Sequence, residues 1–87
     1  AWNYLREPNA MLTWSAISWA QGYAIEFDDA PDFTTPLRTQ YDLPPDALSY
    51  TVENLRNGTY YWRVSARISD TELGRWSSPT QLIVNLP

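Results

Sequence analysis

The chain has 87 residues, enough for one domain with one hydrophobic core. It contains no Cys, His or Lys. These absences exclude a disulfide framework, Ser-His-Asp and Cys-His catalysis, and lysine Schiff-base chemistry. Ten acidic residues against six Arg give a formal net charge of −4, which argues against nucleic acid or an anionic membrane as partner. No apolar stretch approaches the roughly 20 residues of a membrane span, so membrane insertion is not expected.

The first half of the chain shows period-two alternation, which is typical of strands. Leu12 and Trp14 are predicted to share one face of a strand, and a further short strand at residues 2–5 is left open. In the next strand, residues 23–28, Tyr23, Ile25 and Phe27 alternate with Ala24, Glu26 and Asp28. The acid-rich segment 28–32 reads as a turn, because Asp bonds to nearby backbone and Pro fixes φ.

The second half continues the same pattern. Residues 37–41 predict a short edge strand that ends at Pro44-Pro45, and residues 50–53 predict another strand. The clearest amphipathic strand covers residues 60–67, and the last covers 81–86. Adjacent strands joined by such short turns cannot be parallel, since a parallel pair needs a long crossover. The sequence therefore predicts an all-β, immunoglobulin-like β-sandwich of about seven antiparallel strands.

The stretch 55–66, LRNGTYYWRVSA, carries a family resemblance. It resembles the E–F corner and F strand of fibronectin type III domains, particularly the bacterial form that reads Gly-Thr-Tyr-Tyr-Trp-Arg-Val. In the same comparison Trp14 is similar to the core Trp of strand B, Tyr23 begins a segment similar to strand C, and Trp76 belongs to a Trp-Ser element before strand G. The resemblance implies a fibronectin type III-like domain at residues 9–87. Residues 1–8 are then a partial strand A or a linker.

Physical chemistry accounts for the residues of this motif. A corner Tyr buries its ring between the sheets and bonds its hydroxyl to upstream backbone. Tyr60 is the better corner candidate because it is in register with Trp62 and Val64, which leaves Tyr61 facing away from the core. Gly58 is predicted to supply a positive φ in the turn. Leu55 fits the spacing into the same turn.

Few groups of residues in the sequence are candidates for catalysis or metal binding. Asp28, Asp29 and Asp32 are close in sequence, and carboxylates could serve a glycosidase or a Ca²⁺ site. They lie on a turn and supply only a partial ligand set, so the turn interpretation is favoured and no catalytic residue, metal or cofactor is predicted.

Arg63 and Arg67 lie on the outer face of the strand at 60–67. Arg63 is predicted to meet the Trp76 indole in a cation–π contact. A cross-strand pair between Glu26 and Arg63 is the alternative.

Aromatic residues off the core register are the candidate binding residues. Trp19 is expected in the loop after the first clear strand and Tyr61 on the outer face, where each could stack on a sugar or anchor a protein interface. Packing at the ends of the sandwich is the competing explanation. Trp2 and Tyr4, at the N-terminus, suggest contact with a preceding domain.

The function expected from these features is non-catalytic. The first hypothesis is a spacer or interaction module of a larger secreted or cell-surface protein, bacterial in type, which contacts neighbouring domains of its own chain or another protein. The alternatives are an accessory domain of a secreted hydrolase that binds carbohydrate or protein, and a subunit of a surface filament or layer joined through strand edges.

Overall fold

The computed structural model describes residues 4–69 and 71–86. This part of the chain is all-β and contains no helix, so no helix within it could span a membrane. In chain order the strands are β1 (Tyr4–Leu5), β2 (Ala10–Thr13), β3 (Gly22–Asp28), β4 (Arg38–Leu43), β5 (Ser49–Val52), β6 (Gly58–Arg67) and β7 (Thr80–Val84).

The strands form two sheets. In the smaller sheet β2 pairs antiparallel with β5, and in the larger one β7, β6, β3 and β4 are antiparallel neighbours in that order. β1 extends the larger sheet by only two residues, and it runs parallel to β7. The expectation of about seven antiparallel strands is therefore corrected to six antiparallel strands and a short parallel one. The short-turn rule does not apply to β1, because its sheet neighbour lies at the other end of the chain.

The principal core lies between the two sheets, which gives a sandwich-like architecture. Its buried residues come from both sheets and from the turn after β5: Ala10, Leu12, Ile25, Phe27, Val52, Leu55, Tyr60, Leu82 and Val84. The Phe27 and Tyr60 rings stack within it, with centroids 5.2 Å apart. Leu5 packs against this cluster, so the N-terminal segment contributes to the core.

The alternation in β3 does not separate buried from exposed residues. All seven residues of the strand are buried, including Glu26 and Asp28. β3 lies between β4 and β6, and on its outer face Glu26 bonds to Arg63 of β6 and Tyr41 of β4, while Phe33 of the following loop lies against the Arg63 guanidinium. A central strand covered on both faces loses the polar-out pattern of a half-exposed one.

The turn between β5 and β6 forms the predicted corner. The Tyr60 hydroxyl donates to the carbonyl oxygen of Arg56 at 2.9 Å, which confirms the bond expected of Tyr60. Gly58 has a positive φ of 156°, which confirms the prediction made for it, and Asn54 in the same turn has a φ of 61°. Asn is the residue that tolerates the left-handed conformation best after Gly.

The last strand is shorter than predicted. β7 ends at Val84, and the backbone N–H of Leu86 then donates to the side-chain oxygen of Asn57 at 2.6 Å. Leu86 still packs against the core. The Leu86 N–H thus bonds to a side chain instead of to a neighbouring strand. Period-two alternation does not predict such a bond.

Candidate functional site

A cleft of about 250 Å³ opens at the end of the sandwich where β2 and β6 finish. One wall belongs to the segment between β2 and β3, and the opposite wall to the segment between β6 and β7. Inner-face residues of β3 and β6 form the floor. The lining residues are Trp14, Ser15, Ile17, Trp19, Tyr23, Val64, Ala66, Gly74, Arg75 and Ser77.

The first wall is fixed by hydrogen bonds at both ends. The Trp14 N–H donates to the Leu48 carbonyl at 3.1 Å, which continues the β2–β5 pairing past Thr13. The Ile17 N–H donates to the Tyr23 hydroxyl oxygen at 2.9 Å. A turn follows, closed by a 3.1 Å bond from the N–H of residue 20 to the carbonyl of Ile17, and it leaves Trp19 56% exposed.

The second wall runs along β6 as an irregular extended segment. The Gly74 N–H donates to the Ala66 carbonyl at 2.8 Å, and the Ser77 N–H donates to the Val64 carbonyl at 2.9 Å. The Ser77 hydroxyl oxygen accepts the Val64 N–H at 3.0 Å. A Cβ at Gly74 would lie 3.0 Å from the Ala66 carbonyl oxygen and 3.7 Å from the Trp19 ring, so Gly allows the two walls to approach closely.

The cleft carries few polar side chains. Among the described lining residues Arg75 is the one charged residue, and it is exposed. The indole Nε1–H of Trp14 is buried without an acceptor among the described residues. An unmet buried donor costs about 1–3 kcal/mol. The Tyr23 hydroxyl already accepts a bond from Ile17 and still carries its own proton.

Exposed apolar side chains surround the cleft. Ile17 and Trp19 are 40% and 56% exposed on one wall. Ile68 and Leu73, which are 47% and 37% exposed, lie on either side of the bend that leads into the other wall. A group of large apolar side chains around a concave site marks a contact surface more often than scattered ones do.

A second cluster lies on the outer face of the larger sheet and centres on Arg63. Its guanidinium stacks between two rings, with its carbon 4.4 Å from the Phe33 centroid and 4.5 Å from that of Trp76. Its Nε and Nη2 both donate to Oε1 of Glu26, at 2.9 and 2.6 Å. The cation–π contact with Trp76 and the pair with Glu26, given as alternatives by the sequence, are both present.

Tyr41 completes this outer cluster. Its hydroxyl donates to Oε2 of Glu26 at 2.6 Å. That hydrogen bond, together with burial and the negative charge of Glu26, raises the pKa of Tyr41 above its ordinary value of 10.0. Among the described residues, no buried side-chain polar atom of this cluster lacks a hydrogen-bond partner, so its arrangement is that of a structural support.

The acidic residues after β3 bond to their own backbone. Oδ1 of Asp28 accepts the Asp29 N–H at 2.8 Å, and Oδ1 of Asp32 accepts the Thr34 N–H at 3.2 Å. These bonds are the turn-forming kind that the sequence favours. Burial raises the pKa of Asp28 above 3.8, and the charges of Asp29 and Asp32 act in the same direction.

The structure does not bring the two candidate sugar-stacking residues together. Trp19 lines the cleft beside Ala66, whereas Tyr61 lies half-buried on the outer face opposite Asp28. Tyr61 precedes Ala66 by five positions in β6, which is about 17 Å of strand. Trp2 lies outside the described residues.

The remaining predicted residues take varied positions. Tyr4 is placed in β1. Trp14 is half-buried and packs against both core clusters, with its ring 5.8 Å from that of Tyr23. Trp62 is also half-buried and packs against the core.

Sequence reasoning missed most of the cleft. Ser15, Ile17, Arg75 and Ser77 were not among its candidates, although Ser15 and Ile17 closely follow Trp14, and Arg75 and Ser77 flank Trp76. The signal that could have found them is adjacency to those two Trp residues, but only the fold shows that the two segments face each other.

Comparison of the sequence with known protein families and with curated proteins, and of the fold with solved structures, returns no match.

Proposed function

We propose that the chain is a non-catalytic module of the fibronectin type III type that contacts a protein through the cleft end. The observation that carries the proposal is the cleft itself, with exposed Ile17 and Trp19 on one wall and Arg75 on the other. Tight protein interfaces are centred on aromatic and Arg anchors seated in concave sites.

Two features support the family assignment. Immunoglobulin-type sandwiches place strands B and E in one sheet and C, F and G in the other. The division of β2 and β5 from β3, β6 and β7 has that form. A Tyr near the start of strand F that bonds back to upstream backbone is a second hallmark, and Tyr60 makes this bond.

The proposed setting is a larger secreted or cell-surface protein, in which the module positions its neighbours and contacts another protein. Its residue types support a non-catalytic role, because acid–base and nucleophilic chemistry would have to work without His, Cys or Lys.

Site-specific photo-crosslinking tests the proposal. Trp19 is replaced by benzoylphenylalanine in the intact parent protein, which is irradiated in its native setting. We expect a protein adduct at position 19 and none when Leu37, 46% exposed beside β4, is replaced in the same way. Equal labelling at both positions, or no adduct at position 19, would contradict the proposal.

Polysaccharide binding is the second candidate, favoured by the exposed Trp19 ring at the cleft. Glycan-array binding that is lost in W19A would support it. A neutral sugar needs several polar partners, and the described lining residues bring mainly apolar surface and one cation, which makes protein the better candidate.

A further inference from the structure

We propose that the cleft binds an acidic segment of a partner protein, in which a large apolar side chain lies next to an Asp or Glu. This inference rests on the proposed function and specifies its ligand. The apolar side chain would enter between the walls, and the adjacent carboxylate would pair with Arg75.

The size of the cleft favours side chains over a larger ligand. Its volume of about 250 Å³ is below the roughly 300–1,000 Å³ of sites that enclose drug-sized molecules. The floor is formed by apolar side chains, Val64 and Ala66, and by the Tyr23 ring. One large apolar side chain with part of its neighbour fits this space and this chemistry.

The charge of the cleft favours an acidic residue next to the apolar side chain of the ligand. Among the described residues that line the cleft, Arg75 is the one charged residue and none is acidic, although the chain as a whole carries a net charge of −4. An incoming carboxylate therefore meets a local cation on an otherwise acidic protein. A Lys or Arg at the same place would meet a like charge without a carboxylate to offset it.

An unused donor points in the same direction. Trp14 lines the cleft, and its buried indole N–H lacks an acceptor among the described residues. A ligand that supplies carbonyl and carboxylate oxygens brings acceptors to a site where this donor has none, and a buried donor left unpaired is costly.

The test is a titration of the ¹⁵N-labelled 87-residue chain with four capped tetrapeptides, acetyl-Gly-Leu-Asp-Gly-amide and its Asn, Lys and Leu-to-Gly counterparts. The indole N–H signals of Trp14 and Trp19 report directly on the cleft. At low salt we expect the Asp peptide to bind about two- to fivefold more tightly than the Asn peptide, and the Lys peptide to bind more weakly than either. The peptide without Leu should bind at least about tenfold more weakly than the Asp peptide.

Matched variants locate the effect. R75Q should abolish the preference for Asp over Asn, while R56Q, which removes an exposed Arg from the turn before β6, should keep it. W19A should weaken all of the Leu peptides together. The preference should also shrink in 0.5 M salt, because an exposed ion pair is screened.

The outcomes separate the two proposals. Equal affinity for the Asp, Asn and Lys peptides, with shifts at Trp14 and Trp19, would overturn the acidic preference and leave the cleft as a contact site. No shift of either signal with any peptide, in the presence of shifts with a neutral oligosaccharide such as cellohexaose, would overturn both proposals. A preference that survives in R75Q would show that Arg75 is not its source and would overturn the inference.

Discussion

Replacing Arg63 with Met (R63M) removes the guanidinium at the centre of the outer cluster and keeps an unbranched apolar stem. The Arg63 and Glu26 side chains are 26% and 10% exposed, so the pair is far less hydrated than a surface ion pair. A surface pair contributes at most about 1 kcal/mol, whereas breaking a fully buried pair costs about 3–5 kcal/mol. The residual exposure of Arg63 places the expected loss between these limits, at about 2 kcal/mol.

The stacked rings add to this loss. The guanidinium lies 4.4 Å from the Phe33 centroid and 4.5 Å from the Trp76 centroid, and each cation–π contact contributes about 0.5–1 kcal/mol. We therefore expect R63M to lower the free energy of unfolding by about 3 kcal/mol. R63K keeps the charge but loses the planar stack and the fork geometry, so its loss should be smaller, about 1–2 kcal/mol.

Urea unfolding followed by Trp fluorescence measures these values, with R56Q as a surface control that should change stability by less than about 0.5 kcal/mol. The E26Q variant and the R63M/E26Q double variant complete a mutant cycle, for which we expect a coupling energy of at least about 1 kcal/mol. If R63M costs no more than R56Q and the double variant is additive, Arg63 and Glu26 behave as a solvated surface pair. That result would refute a stabilising role for the Arg63–Glu26 pair.

Three further substitutions test other parts of the fold, each by the free energy of unfolding. Y60F removes the corner hydroxyl bond and should cost about 1 kcal/mol, while Y61F, on the outer face, should cost less. G22A should be strongly destabilising, by about 2 kcal/mol or more, because its Cβ would meet the backbone of β4 and lie 2.6 Å from Nη2 of Arg67. Burial raises the pKa of Asp28 above 3.8, so protonation of this carboxyl stabilises the folded wild type below pH 3.8, and that stabilisation is lost as the pH rises through the raised pKa. The stability of D28N relative to wild type should therefore increase between pH 3 and pH 7 in urea titrations. A constant difference would contradict this.

Local features of the fold could be read from the sequence. The hydrogen bond of the Tyr60 hydroxyl depends on a few residues of one turn. Strands β3 and β6 are each predicted by period-two alternation of apolar and polar residues within a single segment. The contact of Arg63 with Trp76 was also predictable, because a resemblance in one motif placed the two residues on adjacent segments.

Features that depend on distant segments could not be read in this way. Glu26 and Asp28 alternate with apolar residues as if they faced solvent, yet they are buried. Glu26 is bonded by Arg63 and Tyr41 from the two neighbouring strands, and the loop after β3 brings Phe33 against Arg63 in a backbone conformation, φ 53°, that a bulky residue rarely adopts. No periodic pattern encodes a loop that folds back in this manner.

The segment 74–77 connects the outer cluster to the cleft. Trp76 stacks on Arg63 at the outer face, while its two neighbours, Arg75 and Ser77, line the cleft. Val64 lines the cleft too, and it follows Arg63 in β6, so adjacent residues of that strand serve opposite faces. The Arg63–Trp76 stack therefore holds the cleft wall in place from behind, although Arg63 does not line the cleft. R63M, assayed at a temperature where circular dichroism shows it folded, should bind the Asp tetrapeptide about two- to tenfold more weakly than wild type. Unchanged affinity would mean that the backbone bonds to β6 are sufficient to position Arg75.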